Sequence, residues 1–182
     1  MSKDVWLNAT EENAGDLILT GFNGKFEDMP VYDEVISLIG SGFMALDFGC
    51  GIGRNTRILA KSFESVIGFD LPSMISLIPH HNRSESITYT SDWEYVKTLY
   101  FDLVLASLVF QHIENNELES YLKDLQQISN RLVLHSRTWI DHSNSEVLPI
   151  VEKYFTIDTI EYTRDPNNPI HDHFIAVLTT RG

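Results

Sequence analysis

The sequence predicts one α/β domain, a seven-stranded, mostly parallel sheet with helices on both faces and an antiparallel last strand. Short apolar runs rich in β-branched and aromatic residues alternate with longer stretches of helical period, the pattern of strand–helix–strand units. A length of 182 residues at 43% hydrophobic composition supports one substantial core. No repeat, low-complexity tract or Pro/Gly/Ser linker divides the chain.

Strands are predicted at 44–48, 65–69, 86–90, 101–106, 130–135, 155–163 and 173–180. Between them, Pro72 after Asp70 suits the first turn of a helix, and Ser143 with Glu146 matches a capping box. Leu118, Leu122, Leu125 and Ile128 recur on one face of a helix over 118–128. The nine residues 164–172 between the last two strands are too few for a helical crossover and fit a hairpin, hence the antiparallel end. The division expected is an N-terminal cap segment at 1–40, holding Trp6, Leu7, Phe22, Phe26 and Tyr32, and the α/β domain at 41–182.

Composition excludes several classes. The single Cys50 cannot form an internal disulfide, and no Cys/His spacing resembles a zinc site, so no metal is expected. A formal charge of −13 with scattered Lys and Arg disfavours a nucleic-acid partner. No apolar run reaches the roughly 18 residues of a membrane span, and the first residues lack a signal-peptide pattern. The expectation is a cytoplasmic protein without a membrane partner; the oligomeric state is left open.

The most informative stretch runs from Leu46 through Asp47, Phe48, Gly49, Cys50, Gly51, Ile52 and Gly53 to Arg54, an apolar strand entering a glycine-rich turn before a helix with Leu59 and Ala60. Such glycines let the backbone turn sharply and approach a ligand at the carboxyl end of a strand. The dinucleotide fingerprint G-x-G-x-x-G fails here: counted from Gly49 its last glycine is Arg54, and counted from Gly51 it is Thr56. Asp70 ends the second strand, where a carboxylate can accept from both hydroxyls of a ribose or cap the helix at Pro72. After the third strand come Asp92, able to accept from an exocyclic amine or to close a turn, and Trp93, a stacking face or a core residue. The fourth strand continues through Ser107 towards His112.

Asp47, Gly49, Gly51 and Gly53 in D-x-G-x-G-x-G resemble the first motif of the class I S-adenosylmethionine-dependent methyltransferases, which share a Rossmann-like fold. The resemblance covers four ordered blocks from Met44 onward. It implies S-adenosylmethionine as cofactor, with Asp47, Phe48, Gly49, Gly51 and Gly53 around its methionine half. Asp70 and Leu71 then lie at the ribose, Asp92 and Trp93 at the adenine, and Ser107 at the edge of the same site.

Methyl transfer from a sulfonium is an in-line displacement, so holding the acceptor close and dry supplies much of the acceleration and no covalent nucleophile is needed. Cys50 therefore gets no catalytic role. A hydroxyl acceptor would profit from a base, for which His112, beyond the fourth strand, is one candidate; a backbone-bonded structural histidine is the alternative. His171 and His173 flank Asp172 in the last hairpin, which emerges at the carboxyl ends of the strands if the sixth runs parallel; a solvated tip is the alternative. His135, Arg137 and Trp139 are candidates to line the acceptor pocket. The acidic chain and short cap favour a small-molecule acceptor, a metabolite or sugar-like compound. The rival is a methyltransferase-like protein that holds the cofactor without turnover, as a partner or regulatory module.

Overall fold

Alternate side chains of strand β1 (Gly42–Phe48) serve opposite faces of the sheet, as strand geometry requires. Leu46 and Phe48 enter one apolar cluster and Ala45 another, which is why the segment reads as a continuous apolar run. The computed structural model describes residues 3–18, 24–141, 145–164 and 172–181.

The other strands are β2 (Phe63–Phe69), β3 (Ile87–Thr90), β4 (Leu103–Ser107), β5 (Arg131–Arg137), β6 (Phe155–Thr163) and β7 (His173–Thr180). Helices are α1 (Lys3–Leu7), α2 (Ala14–Ile18), α3 (Asp33–Ile36), α4 (Arg54–Leu59), α5 (Pro72–Ser76), α6 (Trp93–Val96), α7 (Asn115–Ile128) and α8 (Val147–Val151). The strands form one sheet in the order β3-β2-β1-β4-β5-β7-β6, parallel except where β7 inserts antiparallel between β5 and β6. β1 pairs with β2 on one side and β4 on the other, so the connections leave in opposite directions and open a crevice at the carboxyl ends of β1 and β4.

One sheet face is covered by α6, α7 and α8, which contribute Val96, Leu118, Leu122, Leu125, Ile128, Val147, Ile150 and Val151. The other is covered by α3 and α4 through Val35 and Leu59, with Ile39 just beyond α3. A third, smaller cluster joins Trp6, Ile18, Phe26 and Met29 from the first residues to Ile52 of the glycine turn and Met74 of α5. The N-terminal segment is thereby fastened to the crevice rather than to the sheet edge.

Three local expectations are corrected. Phe101 leaves the ladder and bridges Ser129 instead, its N–H donating to the Ile128 carbonyl at 2.7 Å, because its fully buried ring serves the core under α7; β4 begins at Leu103. Helix α7 starts at Asn115, three residues before its apolar stripe. Glu146 is extended and stands before the first residue of α8, since a bridge to Trp139 holds the chain out of the helix there; it cannot be the third residue of a capping box, and Ser143 lies outside the described residues. Among the described residues no helix is long and apolar enough to cross a membrane.

Candidate active site

The turn after β1 places Gly49, Gly51 and Gly53 at φ of 73°, 57° and 82°, all in the left-handed region. At Gly49 the need is double: a Cβ would also fall 2.4 Å from Cγ2 of Val109, a residue just beyond β4. Asp47 lies beneath this turn, 1% exposed, and accepts a hydrogen bond from Thr56 Oγ1 at 2.5 Å, tying β1 to α4. Burial pushes its pKa up to about 7 against that hydrogen bond.

Asp70 closes β2 and reaches back to the turn. Its Oδ2 accepts from the Gly51 N–H at 2.6 Å and its Oδ1 from the Leu71 N–H at 2.7 Å. Burial raises its pKa to about 6, with these two bonds opposing. Each oxygen keeps a further lone pair, so the carboxylate can still accept from two ligand hydroxyls.

A cavity of about 590 Å³ extends from here across the ends of β1, β4 and β5. Phe48, Gly49, Gly51, Asp70, Leu71 and Ser107 all line it, as do His112 and His173. Asp47 and Gly53 support the turn from outside that lining. Asp92 and Trp93 also stay outside it: Asp92 caps α6 by accepting from the Tyr95 N–H at 3.1 Å, and the Trp93 Nε1–H donates to Asp124 at 2.9 Å. Beside Phe48, the rings that reach the cavity on this side are Phe69 and Tyr121, each with its centroid 5.0 Å from that of Trp93.

At the other end His112 Nδ1 lies 2.9 Å from Asp141 Oδ2, and Arg137 Nη1 lies 3.2 Å from Asp141 Oδ1. Burial raises the Asp141 pKa, but His112 and Arg137 outweigh it and hold the carboxyl well below its usual range. The network also assigns the imidazole tautomer. Gln111 Oε1 accepts from Ser136 Oγ at 2.9 Å and from the Arg137 N–H at 3.4 Å, so its amide nitrogen is the group 3.3 Å from His112 Nε2. That leaves Nε2 as acceptor and the proton on Nδ1, facing Asp141.

His135 lines the cavity as well, with Ser107 Oγ 3.3 Å from its Nδ1 and the rings of Tyr32 and His173 against it at 4.6 and 5.2 Å. Burial first, then His173 and Arg54, lower its pKa to about 3. Arg137 joins it in the lining whereas Trp139 does not, and His171 lies outside the described residues. From the first 40 residues Lys3, Trp6, Leu17, Ile18 and Tyr32 face the cavity; exposed Leu7 and core-packed Phe26 do not, and Phe22 is outside the described residues.

Sequence reasoning missed Asp141, Gln111 and Leu108. Leu108 lines the cavity at φ 56°, a conformation a branched side chain rarely adopts, with its N–H donating to the His135 carbonyl at 2.6 Å. No local pattern marks these positions. Among the described residues no group of three or more His, Cys, Asp and Glu is placed to hold a metal ion.

Residues 46–131 match a family model described as a methyltransferase domain. No curated protein matches the sequence. Among solved structures, the N-methyltransferase NodS from Bradyrhizobium japonicum WM9, in complex with S-adenosyl-L-homocysteine, superposes with a TM-score of 0.70 at 15% identity, over 93% of this chain and 100% of its own. Magnesium protoporphyrin IX methyltransferase (ChlM) from Synechocystis PCC 6803, with bound S-adenosylmethionine, gives 0.62 at 19% identity over 82% of this chain and 77% of its own. A TehB-like methyltransferase from Corynebacterium glutamicum gives 0.63 at 18% identity over 85% and 91%. Residues 46–131 thus match a methyltransferase domain, and the chain shares the fold of these S-adenosylmethionine- and S-adenosylhomocysteine-bound methyltransferases.

Proposed function

We propose that this chain binds S-adenosylmethionine across the turn and Asp70, and methylates a small-molecule acceptor whose nucleophile gives up its proton to His112. One observation carries the reading: a single cavity has a buried carboxylate beside a glycine turn at one end and an oriented histidine at the other.

The residues present fit the cofactor. Asp70 offers its spare lone pairs to ribose hydroxyls, Phe69 and Tyr121 offer rings to an adenine, and the Gly49–Gly51 backbone leaves room for a methionine chain. Bound there, S-adenosylmethionine supplies an electrophilic methyl group on a sulfonium sulfur. The N-terminal segment completes the wall with Trp6 and Tyr32, acting as a cap that excludes water. Trp6 also presents a buried Nε1–H that no group among the described residues accepts, a donor available to an acceptor molecule.

His112 Nε2, exchanging the Gln111 amide for the acceptor, takes the proton of a hydroxyl as the new bond to carbon forms, or of an ammonium before its freed lone pair attacks, and Asp141 stabilises the imidazolium that results. Arg137 and Gln111 fix the carboxylate and the ring in this arrangement and are positioning residues. His173 lies across the cavity, where it can orient the acceptor.

Calorimetric titration with S-adenosylmethionine and S-adenosylhomocysteine, followed by a product assay over a library of small hydroxyl and amine acceptors, tests the reading. With the acceptor so found, His112→Gln should lower kcat/KM by about 10²- to 10⁴-fold and leave S-adenosylhomocysteine affinity unchanged. Undiminished turnover in that variant removes the base; absent binding of either cofactor form removes the enzyme.

A further inference from the structure

Five rings line the cavity around its histidine end: Trp6 and His112, with centroids 5.4 Å apart, and Tyr32, His135 and His173, in contact at 4.6 and 5.2 Å in turn. Trp6 and Tyr32 come from the N-terminal segment, and the three histidines from β5, β7 and the turn beyond β4. The sheet holds the two groups side by side. Gln111, next to His112 in the chain, accepts from Ser136 Oγ and the Arg137 N–H, and His135 precedes these two on β5. The ring planes meet at angles between 54° and 70°, so no ring stacks flat on another and faces remain for a planar guest.

The charges beside these rings are already answered. Lys3 pairs with Glu117 at 2.5 Å and Arg137 with Asp141 at 3.2 Å, while Arg54 lies in the field of Asp47. Burial keeps His135 neutral, its pKa lowered to about 3. An ionised acceptor would lose its hydration here without gaining a counter-charge, whereas a neutral ring loses little. The Trp6 Nε1–H, buried and without an acceptor among the described residues, is a donor for an oxygen on such a ring. The base selects further among neutral acceptors. Imidazole ionises at about pH 6.5 and a phenol at about pH 10, while an aliphatic alcohol holds its proton far more tightly.

We propose that the acceptor is a neutral aromatic hydroxy compound, its ring held between Trp6 and Tyr32 of the cap and the histidine rings of the sheet. This names the acceptor class for the methyl transfer proposed above and rests on that reading. The phenol oxygen forms its bond to the methyl carbon as the carbon–sulfur bond breaks. Its proton passes to His112 Nε2, and an aryl methyl ether and S-adenosylhomocysteine leave.

Para-cresol, its saturated counterpart para-methylcyclohexanol and the ring acid para-toluate are titrated calorimetrically, at neutral pH, into protein saturated with S-adenosylhomocysteine. Wild type should prefer para-cresol to each of the others by about 10-fold or more, the worth of two ring contacts. Equal affinity, a preference for the saturated ring or the anion, or no binding of any of the three overturns the proposal. Tyr32→Leu should shrink the preference over the saturated ring by about 3-fold or more, and Trp6→Leu gives the same readout should Tyr32→Leu not fold by circular dichroism. An undiminished preference in a folded variant counts against the ring-walled site as decisively. With S-adenosylmethionine present, phenols in the acceptor library should give product and saturated alcohols of the same size none; an alcohol turned over faster than every phenol refutes the class.

If wild type binds no nucleoside, the cofactor reading fails, and the same titrations on the protein alone decide whether the aromatic site stands. If the nucleoside binds and the preference for para-cresol is absent, only the acceptor class falls.

Discussion

The two ends of the cavity are built by opposite means. At the β1–β2 end the chain uses main chain and contiguous sequence: three left-handed glycines within five residues, and a carboxylate that accepts from the backbone of the turn it faces. At the β4–β5 end it uses side chains from distant segments, with His112, His135, Asp141 and His173 brought together by the sheet and Tyr32 by the N-terminal segment. Main-chain sites tolerate almost no change in backbone shape, while side-chain sites can be rewritten one residue at a time. A fold can therefore keep a cofactor end constant and vary what meets it.

The largest effect should come at the rigid end. Gly49→Ala combines a left-handed backbone costing about 1–2 kcal/mol with an overlap against Val109 costing about 1–3 kcal/mol. Urea denaturation should show a loss of about 2–5 kcal/mol, and S-adenosylhomocysteine affinity should collapse with it. A variant of wild-type stability would mean that the turn is plastic and the contrast false.

This contrast also explains what the sequence showed in advance. The turn was legible because its glycines, Asp47 and Asp70 are near neighbours or end consecutive strands, and backbone conformation restricts residue type locally. The sheet was legible because burial on both faces writes apolar runs. Asp141 was not, since its role depends on β5 and the segment after β4 lying side by side, a tertiary fact. Asp92 and Trp93 show the converse: their place after β3 follows the family pattern, yet Asp92 is used as a helix cap and Trp93 as core behind Phe69 and Tyr121. Motif order specifies a position, and packing decides which neighbouring ring reaches the cavity.

Acid and base should separate the two ends. Asp47 is raised from 3.8 to about 7, so the folded state binds its proton more tightly than the unfolded chain; this stability is fully present below about pH 4 and is lost as pH rises to about 7. His135, lowered from 6.5 to about 3, contributes stability above pH 6.5 that is lost as pH falls towards 3. Asp47→Asn should thus gain on wild type by about 2–4 kcal/mol between pH 4 and pH 8, and His135→Gln should flatten the acid limb. Denaturation curves across that range check both, and parallel curves for wild type and Asp47→Asn would show that the carboxyl is not desolvated.

Asp70 sharpens the comparison through affinity. Asp70→Asn should weaken S-adenosylhomocysteine by about 10- to 100-fold, the range expected for hydrogen bonds to a charged group. With its pKa raised to about 6, the wild-type carboxylate should lose affinity as pH falls through 6, and the variant should not. Calorimetry at pH 5 and pH 8 reads both; equal pH dependence in the two proteins would take Asp70 off the ribose.

The smallest effect is predicted two residues from the largest. A Cβ on Gly51 would meet only Ile18, at 3.7 and 3.9 Å, so Gly51→Ala carries the backbone cost of about 1–2 kcal/mol without an overlap. Gly51 lines the cavity, however, and its N–H donates to Asp70. A ligand lying against the turn would meet the added methyl that the protein itself does not. The variant should therefore lose about tenfold or more in S-adenosylhomocysteine affinity, corresponding to about 1.4 kcal/mol or more of binding, while its unfolding midpoint moves far less than that of Gly49→Ala. Unchanged affinity at that modest stability loss would place the ligand away from the backbone, and the main-chain end would then be rigid for the sake of folding alone.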